Sequence, residues 1–191
     1  MNAPLTVLSS PQPARFTVDA FLRMDMAGVF EGHGRTELID GEIYVMNAQY
    51  RPHARIKAQF YDALREGLRA IESPFTALIE VTVSIPTNGA PQPDIVATSE
   101  PDGEGPVPAS SVALLVEISD STLHFDLGKK AQIYAKAGIA EYWVVDIEGR
   151  RILCHGRPGA DGYPAPVEVP FGDIVASVMI KGLRVKTDGL N

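Results

Sequence analysis

Cysteine is almost absent from this chain of 191 residues: Cys154 stands alone. One thiol closes no internal disulfide, and a zinc site would have to be built from histidines and carboxylates. The four histidines, His33, His53, His124 and His155, show no zinc spacing, and the adjacent Cys154 and His155 face apart on an alternating segment. No apolar run approaches the ~20 residues that span a bilayer. The first residues, MNAPLTVLSSPQPARF, lack the basic start and apolar core of a secretory signal. A soluble cytoplasmic protein without a membrane partner is therefore expected. Positive charge is also scarce, with 17 Lys and Arg against 24 Asp and Glu, a net charge of −7 and a pI near 5.1. That balance argues against a broad basic field that grips nucleic acid or membrane indiscriminately. It leaves room for a nucleic-acid enzyme whose local positive charge comes from a metal ion. There is no phosphate-cradling glycine loop, since Gly103 and Gly105 sit in the acidic PDGEGPVP, and no serine stands in a nucleophile elbow.

What is present is a chain that is 45% apolar and long enough for one cored domain, expected over residues 16–191 behind a flexible arm at 1–15. TVDAFLRMDMAG reads as a helix capped by Thr17 and stopped by Gly28. TELIDGEIYVMN contains a strand with a turn or bulge signal at Asp40-Gly41. Residues 53–71 repeat Ile56, Phe60, Leu64 and Leu68 on one helical stripe. Residues 75–85 alternate as one strand, with Ala77, Ile79, Val81, Val83 and Ile85 on the buried face. A short strand follows at 94–98, and ALLVEIS (113–119) is apolar enough for a central strand. FDLGKKAQIYAKAG is a helix ended by Gly138, and EYWVVDIEGRRILCHG is a hairpin turning at Glu148-Gly149. The order of helices and strands implies an α/β (α+β) fold, a central mixed sheet flanked by helices.

Glu117 interrupts that central strand. A carboxylate there is costly unless paired or holding a cation, although an acid at a solvated sheet end, or one bridged to an arginine, fits the same pattern. Strand alternation puts Ala113, Leu115, Glu117 and Ser119 on one face. Asp94, after Pro93, gains meaning only as a second acid on a neighbouring strand, because two close carboxylates repel unless a cation lies between them. Mg²⁺ or Mn²⁺ suits such oxygen donors. On a helix wheel at about 100° per residue, Lys129 lies about 200° from Leu127 and points to solvent, while Lys130 flanks the buried side at about 60°. Lys130 is thus free to reach over the sheet, to snorkel, or to pair with Asp126 four residues earlier. Glu37 shares strand parity with Ile39, Ile43 and Val45, whereas Glu42 shares the solvated side with Asp40 and Tyr44. His53 lies near the apolar stripe of its helix, as a structural group or a functional one. Arg51, Arg55, Lys57, Arg65 and Arg69 give that helix a modest basic surface.

The ordered segments ELIDGEIYVM, PH opening a helix, PDIVAT, LLVEISDST and DLGKKAQIYAKAGIAEYWVVD resemble the Uma-two family, restriction-endonuclease-like proteins of the PD-(D/E)XK nuclease superfamily. The resemblance spans roughly residues 16–157 and, more weakly, the tail. It implies a restriction-endonuclease-like sheet with two acids on adjacent strands, matched by Asp94 and Glu117. It implies Mg²⁺-dependent (or Mn²⁺-dependent) hydrolysis of DNA phosphodiesters, with the ion held by Asp94, Glu117 and the Ile118 carbonyl. The superfamily's lysine position, two residues after the second acid, is Ser119 here. The resemblance supplies the lysine from the next helix as Lys130, and matches Glu37 to a first-strand acid that would hold a second ion or an ordered water. DNA is the implied substrate and a homo-oligomer is expected. Ser119 also keeps a second expectation open, a nuclease fold retained for DNA binding or assembly without cleavage.

Overall fold

The computed structural model describes residues 12–190. The expected arm at 1–15 falls largely outside them; of its described end, Arg15 is tied to Asp40 and Glu42. In chain order the elements are α1 (Val18–Met26), a β1–β2 hairpin (Thr36–Ile39, Glu42–Val45), α2 (Arg51–Ala70), β3 (Thr76–Ile79), β4 (Val83–Ser84), β5 (Ile95–Thr98), β6 (Val107–Pro108) and β7 (Val112–Ser119). Then come α3 (residues 123–136), β8 (Glu141–Asp146), β9 (Arg151–Gly156), β10 (Val167–Pro170), β11 (Ile174–Ala176) and β12 (Arg184–Lys186).

Six strands form the central sheet in the order β10-β9-β8-β7-β5-β3. It is mixed: β7 and β8 run parallel, joined through α3, and the other pairs are antiparallel. A parallel pair needs such a crossover, so β7 lies between a parallel and an antiparallel neighbour. Alternation along β7 divides the core. Leu114, Val116 and Ile118 face α2 through Ile56, Phe60, Leu64 and Leu68, and Phe60 meets Trp143 of β8 edge-on at 6.1 Å. Leu115 faces the other side with Ala131, Ile133 and Tyr134 of α3. The β11–β12 hairpin adds Val175 and Val185 to the α2 side.

Three local departures from the sequence pattern have physical causes. Residues 75–85 are not one strand. Glu80 takes a left-handed backbone (φ 50°) and its N–H donates to the Asp94 carbonyl, so pairing breaks after Ile79, which is left 51% exposed. Asp40 and Gly41 both have positive φ (51° and 79°) and form a two-residue hairpin turn, as type I′ turns require. The turn resets parity: Glu37 is opposite Tyr44 and Ile39 opposite Glu42, so Glu42 and Tyr44 share the face of Glu37 instead of opposing it. Third, α3 is helical over Leu123–Phe125 and Ala131–Lys136 but widens between them into a π turn, Asp126–Lys130, where the Ala131 N–H reaches the Asp126 carbonyl five residues back.

At Gly67, α2 packs closely against β12 and the residue before it. A Cβ there would lie 3.0 Å from the Arg184 carbonyl oxygen and 2.9 Å from a Leu183 methyl. Gly67→Val adds overpacking and a poor helix former at once, and should destabilise the fold by about 1–3 kcal/mol in urea unfolding. An unchanged midpoint would show that this contact yields freely.

Candidate active site

The register of β5 on β7 builds the site. Ile95 pairs with Val116 in antiparallel sense, so the preceding residue, Asp94, falls opposite the following one, Glu117. Asp94 stands where β5 has no further ladder partner, and its Oδ2 accepts the Ile118 N–H at 2.8 Å. N–H and C=O of one strand residue point to the same side, so the Ile118 carbonyl also leaves β7 toward Asp94. Glu117 Oε1 accepts hydrogen bonds from Lys130 Nζ and from the Tyr134 hydroxyl, each at 2.9 Å. Lys130 Nζ also lies 3.0 Å from Glu37 Oε2. The four residues singled out in the sequence, Glu37, Asp94, Glu117 and Lys130, are therefore clustered, and they are 0%, 2%, 3% and 1% exposed.

The π turn delivers the lysine. Ser119 Oγ and Thr122 Oγ1 both donate to Asp126 Oδ2, at 2.5 and 2.6 Å, and the Tyr142 hydroxyl donates to the Asp126 carbonyl. Asp126 is thus occupied and forms no ion pair with Lys130. Lys129 does point outward, toward Glu42 and Tyr44. π turns of this kind occur often at functional sites.

Several participants carry no recognisable spacing in the sequence. His53 Nε2 is 3.2 Å from Asp94 Oδ2, which places the histidine against the site rather than in the core alone. Gln49 donates to Asp94 Oδ1 at 3.0 Å, and Lys57 Nζ lies 3.5 Å from the same oxygen while bonding Gln49 and Glu80. Arg35 reaches Glu37 Oε1 at 3.3 Å. The sequence offers Asp126 only as a partner for Lys130 and gives Tyr134 no role at the site, because a Ser–Asp or Glu–Tyr contact across a strand and a helix depends on their packing.

Electrostatically the site is short of positive charge. Burial pushes the Glu117 carboxyl up, and Asp126, Asp94 and Glu37 push it further against the opposing Lys130 charge, to about 8. Burial alone would lower Lys130, but Glu117, Glu37 and Asp126 outweigh it and hold the ammonium above its usual range. Burial also raises Asp94, yet hydrogen bonding and charge from His53, the Ile118 amide and Lys57 leave it below the ordinary carboxylate range. Burial pushes the Cys154 thiol up to about 12, which makes it inert as a nucleophile.

A cavity of about 200 Å³ opens onto Asp94, Glu117, Ile118, Lys130 and His53. Glu37 is not on its wall; it sits behind Lys130. Among the described residues no three His, Cys, Asp or Glu side chains converge as a ready-made cage. Mg²⁺ needs none, because it keeps several waters and takes one or two carboxylates. The donors on the wall are hard oxygens. Nothing among the described residues hydrogen-bonds Glu117 Oε2, and the surplus negative charge that raises Glu117 favours a cation there. The residues fit a Mg²⁺ or Mn²⁺ ion.

The raised Glu117 has a consequence for stability. An acid whose folded pKa exceeds its unfolded value of 4.5 contributes its full stabilisation below 4.5 and loses it as pH rises through about 8. Melting temperature in chelator should fall over that window, and Glu117→Gln should flatten the fall. A wild-type profile already flat there would refute the raised value.

Among the described residues, no helix is long and apolar enough to cross a membrane. Residues 18–187 match the protein-family model Uma2, described as "Putative restriction endonuclease". A crystal structure titled as a putative nuclease belonging to DUF820, from Anabaena variabilis ATCC 29413, superposes with a TM-score of 0.70 over 92% of this chain and 97% of that one, at 17% identity. No curated protein matches. At that identity the likeness carries the restriction-endonuclease-like fold alone, while the family match covers most of the chain: it belongs to the Uma2, or Uma-two, family.

Proposed function

We propose that this protein is a metal-dependent endonuclease that hydrolyses phosphodiester bonds of DNA. The observation that carries the reading is the buried Lys130 ammonium, 2.9 Å from Glu117 and on one cavity wall with Asp94. The family's description as a restriction endonuclease supports the reaction class. Asp94, Glu117 and the Ile118 carbonyl would hold Mg²⁺ or Mn²⁺, which supplies polarisation of the scissile phosphate and a lowered pKa for water. The chain's own residues do the rest. Lys130 stays protonated, so it is a donor and not a base. One of its N–H groups donates to Glu117, and Glu37 balances the ammonium as an ion pair at 3.0 Å; an N–H not given to Glu117 would orient the attacking water or offset charge growing on the phosphate. Glu37 holds Lys130 in place and is a positioning residue. Tyr134 and Lys130 fix Glu117 Oε1, which leaves Oε2 to the cavity. Attack by water forms a new P–O bond to phosphorus as the ester P–O bond breaks. A homo-oligomer would let two such sites act on two strands.

A second reading, a nuclease fold that binds or assembles on DNA without cutting it, draws on Asp94. Four groups already contact its two oxygens: His53, the Ile118 amide, Gln49 and Lys57.

Purified protein with supercoiled and linear DNA and Mg²⁺ or Mn²⁺ separates the two. Wild type should nick and cut, and Glu117→Gln and Lys130→Gln should each lower the rate by about 10²-fold or more, as removal of a transition-state donor does. Cleavage that survives both changes removes the site assignment. Metal binding and DNA binding with no cleavage in wild type would select the second reading.

A further inference from the structure

Beside the site lies a second cavity, of about 450 Å³, whose wall includes Arg51, Arg55, Ile56, Ile147, Arg150 and Phe171 and no acid. Arg51 and Arg55 are exposed and one helical turn apart on α2, where like charges repel. Neither forms an ion pair or a side-chain hydrogen bond among the described residues. Arg150, also exposed, comes from the β8–β9 turn and lies over the Phe171 ring at 5.6 Å. In a chain with net charge −7, three arginines gathered without an anion are a local exception.

The two cavities are adjoining. Tyr50, 73% exposed, lines the first, and the next residue, Arg51, lines the second. The Ile147 N–H donates to the Ser119 carbonyl at 3.0 Å, which ties the turn carrying Arg150 to the end of β7 that carries Glu117. The remaining cations of α2 go elsewhere. Lys57 turns to Asp94 and Glu80. Arg65 and Arg69 line a separate cavity nearer the other end of the helix, and Arg69 is about 27 Å along the axis from Arg51.

We infer that Arg51, Arg55 and Arg150 bind the phosphodiester backbone of a nucleic-acid strand on one side of the candidate active site, with Tyr50 as a platform for a base between the two. Guanidinium groups pair with phosphate oxygens in bidentate fashion, and exposed aromatic rings stack on bases without sequence preference. This inference rests on the nuclease reading for its partner, but not on cleavage.

The test is anisotropy with a short labelled DNA duplex, single-stranded DNA and RNA of the same sequence, in chelator, across a salt series. Arg51→Gln/Arg55→Gln/Arg150→Gln should weaken binding about 10- to 100-fold near 0.1 M salt and flatten the dependence of log Kd on log salt by about 2–3. Arg65→Gln/Arg69→Gln/Lys136→Gln makes the same change in net charge and should leave the slope as in wild type. Equal losses in both variants would reduce the effect to overall charge and overturn the inference; so would no loss in the first, or no binding by wild type. If the triple variant fails to fold, Arg55→Gln alone should still flatten the slope by about 1, and an unchanged slope there overturns the inference too. Since binding is read without catalysis, an inactive wild type that binds through these arginines sinks the nuclease reading and leaves this one standing.

Discussion

Lys130 is a fully buried ammonium, and much of the structure around it is arranged so that it can be there. Taking such a charge out of water costs several kcal/mol, recovered only with close, well-oriented partners. Its partners come from β1 (Glu37) and β7 (Glu117). One nitrogen therefore links three parts of the fold that share no backbone ladder: the β1–β2 hairpin, the central strand and α3. Removing Lys130 leaves both acids without the ammonium that they share. Yet the acids outnumber the buried cation, since Asp94 and Asp126 add their fields to that of Glu37 at Glu117. The cluster holds together as it stands and still favours one more positive charge.

The position of that lysine is coupled to the residue that replaces it. In the superfamily pattern that the sequence resembles, the position two residues after the second acid, on the same strand face, belongs to lysine, and here it is Ser119. A serine there is not idle: its hydroxyl fixes Asp126, the first residue of the π turn, and the turn brings Lys130 back over the same strand face. In this chain the strand supplies a hydroxyl that anchors the turn and the helix supplies the ammonium that meets Glu117.

How much of this the sequence disclosed follows from regularity. From Leu114 to Ser119 the strand β7 is regular, so alternation alone puts Glu117 and Ser119 on one face and the α2-facing apolar residues on the other; at its start a register shift against β5 moves Ala113 to the α2 side, away from the face of Leu115 and Glu117 where parity puts it. Phasing of α3 separates Lys129 from Lys130 correctly, but a wheel at constant pitch cannot contain a π turn and leaves Lys130 at the margin of the buried side rather than inside it. Where the backbone turns left-handed, at Asp40 and at Glu80, parity counting fails, because each such residue resets which face comes next. Contacts of His53, Gln49 and Lys57 with Asp94 were out of reach for a different reason. They join a loop and a helix to a strand, at separations fixed only by the register of β5 on β7.

The same charge arithmetic bears on how a phosphate chain would approach. Four buried carboxylates at the end of β7 repel an anion, and the protein as a whole repels it too. Positive charge from two sources would offset that repulsion: locally, a cation among the oxygens, and at longer range, side chains not already neutralised, which act with or without the ion. The cations of the site fail the second requirement, since the buried Lys130 and the half-buried Lys57 and Arg35 are committed to acids. Arg51, Arg55 and Arg150 meet it because they stand outside that network of ion pairs, on a cavity wall without an acid. Acidic composition and a nucleic-acid substrate are then compatible, provided the two kinds of positive charge are kept apart.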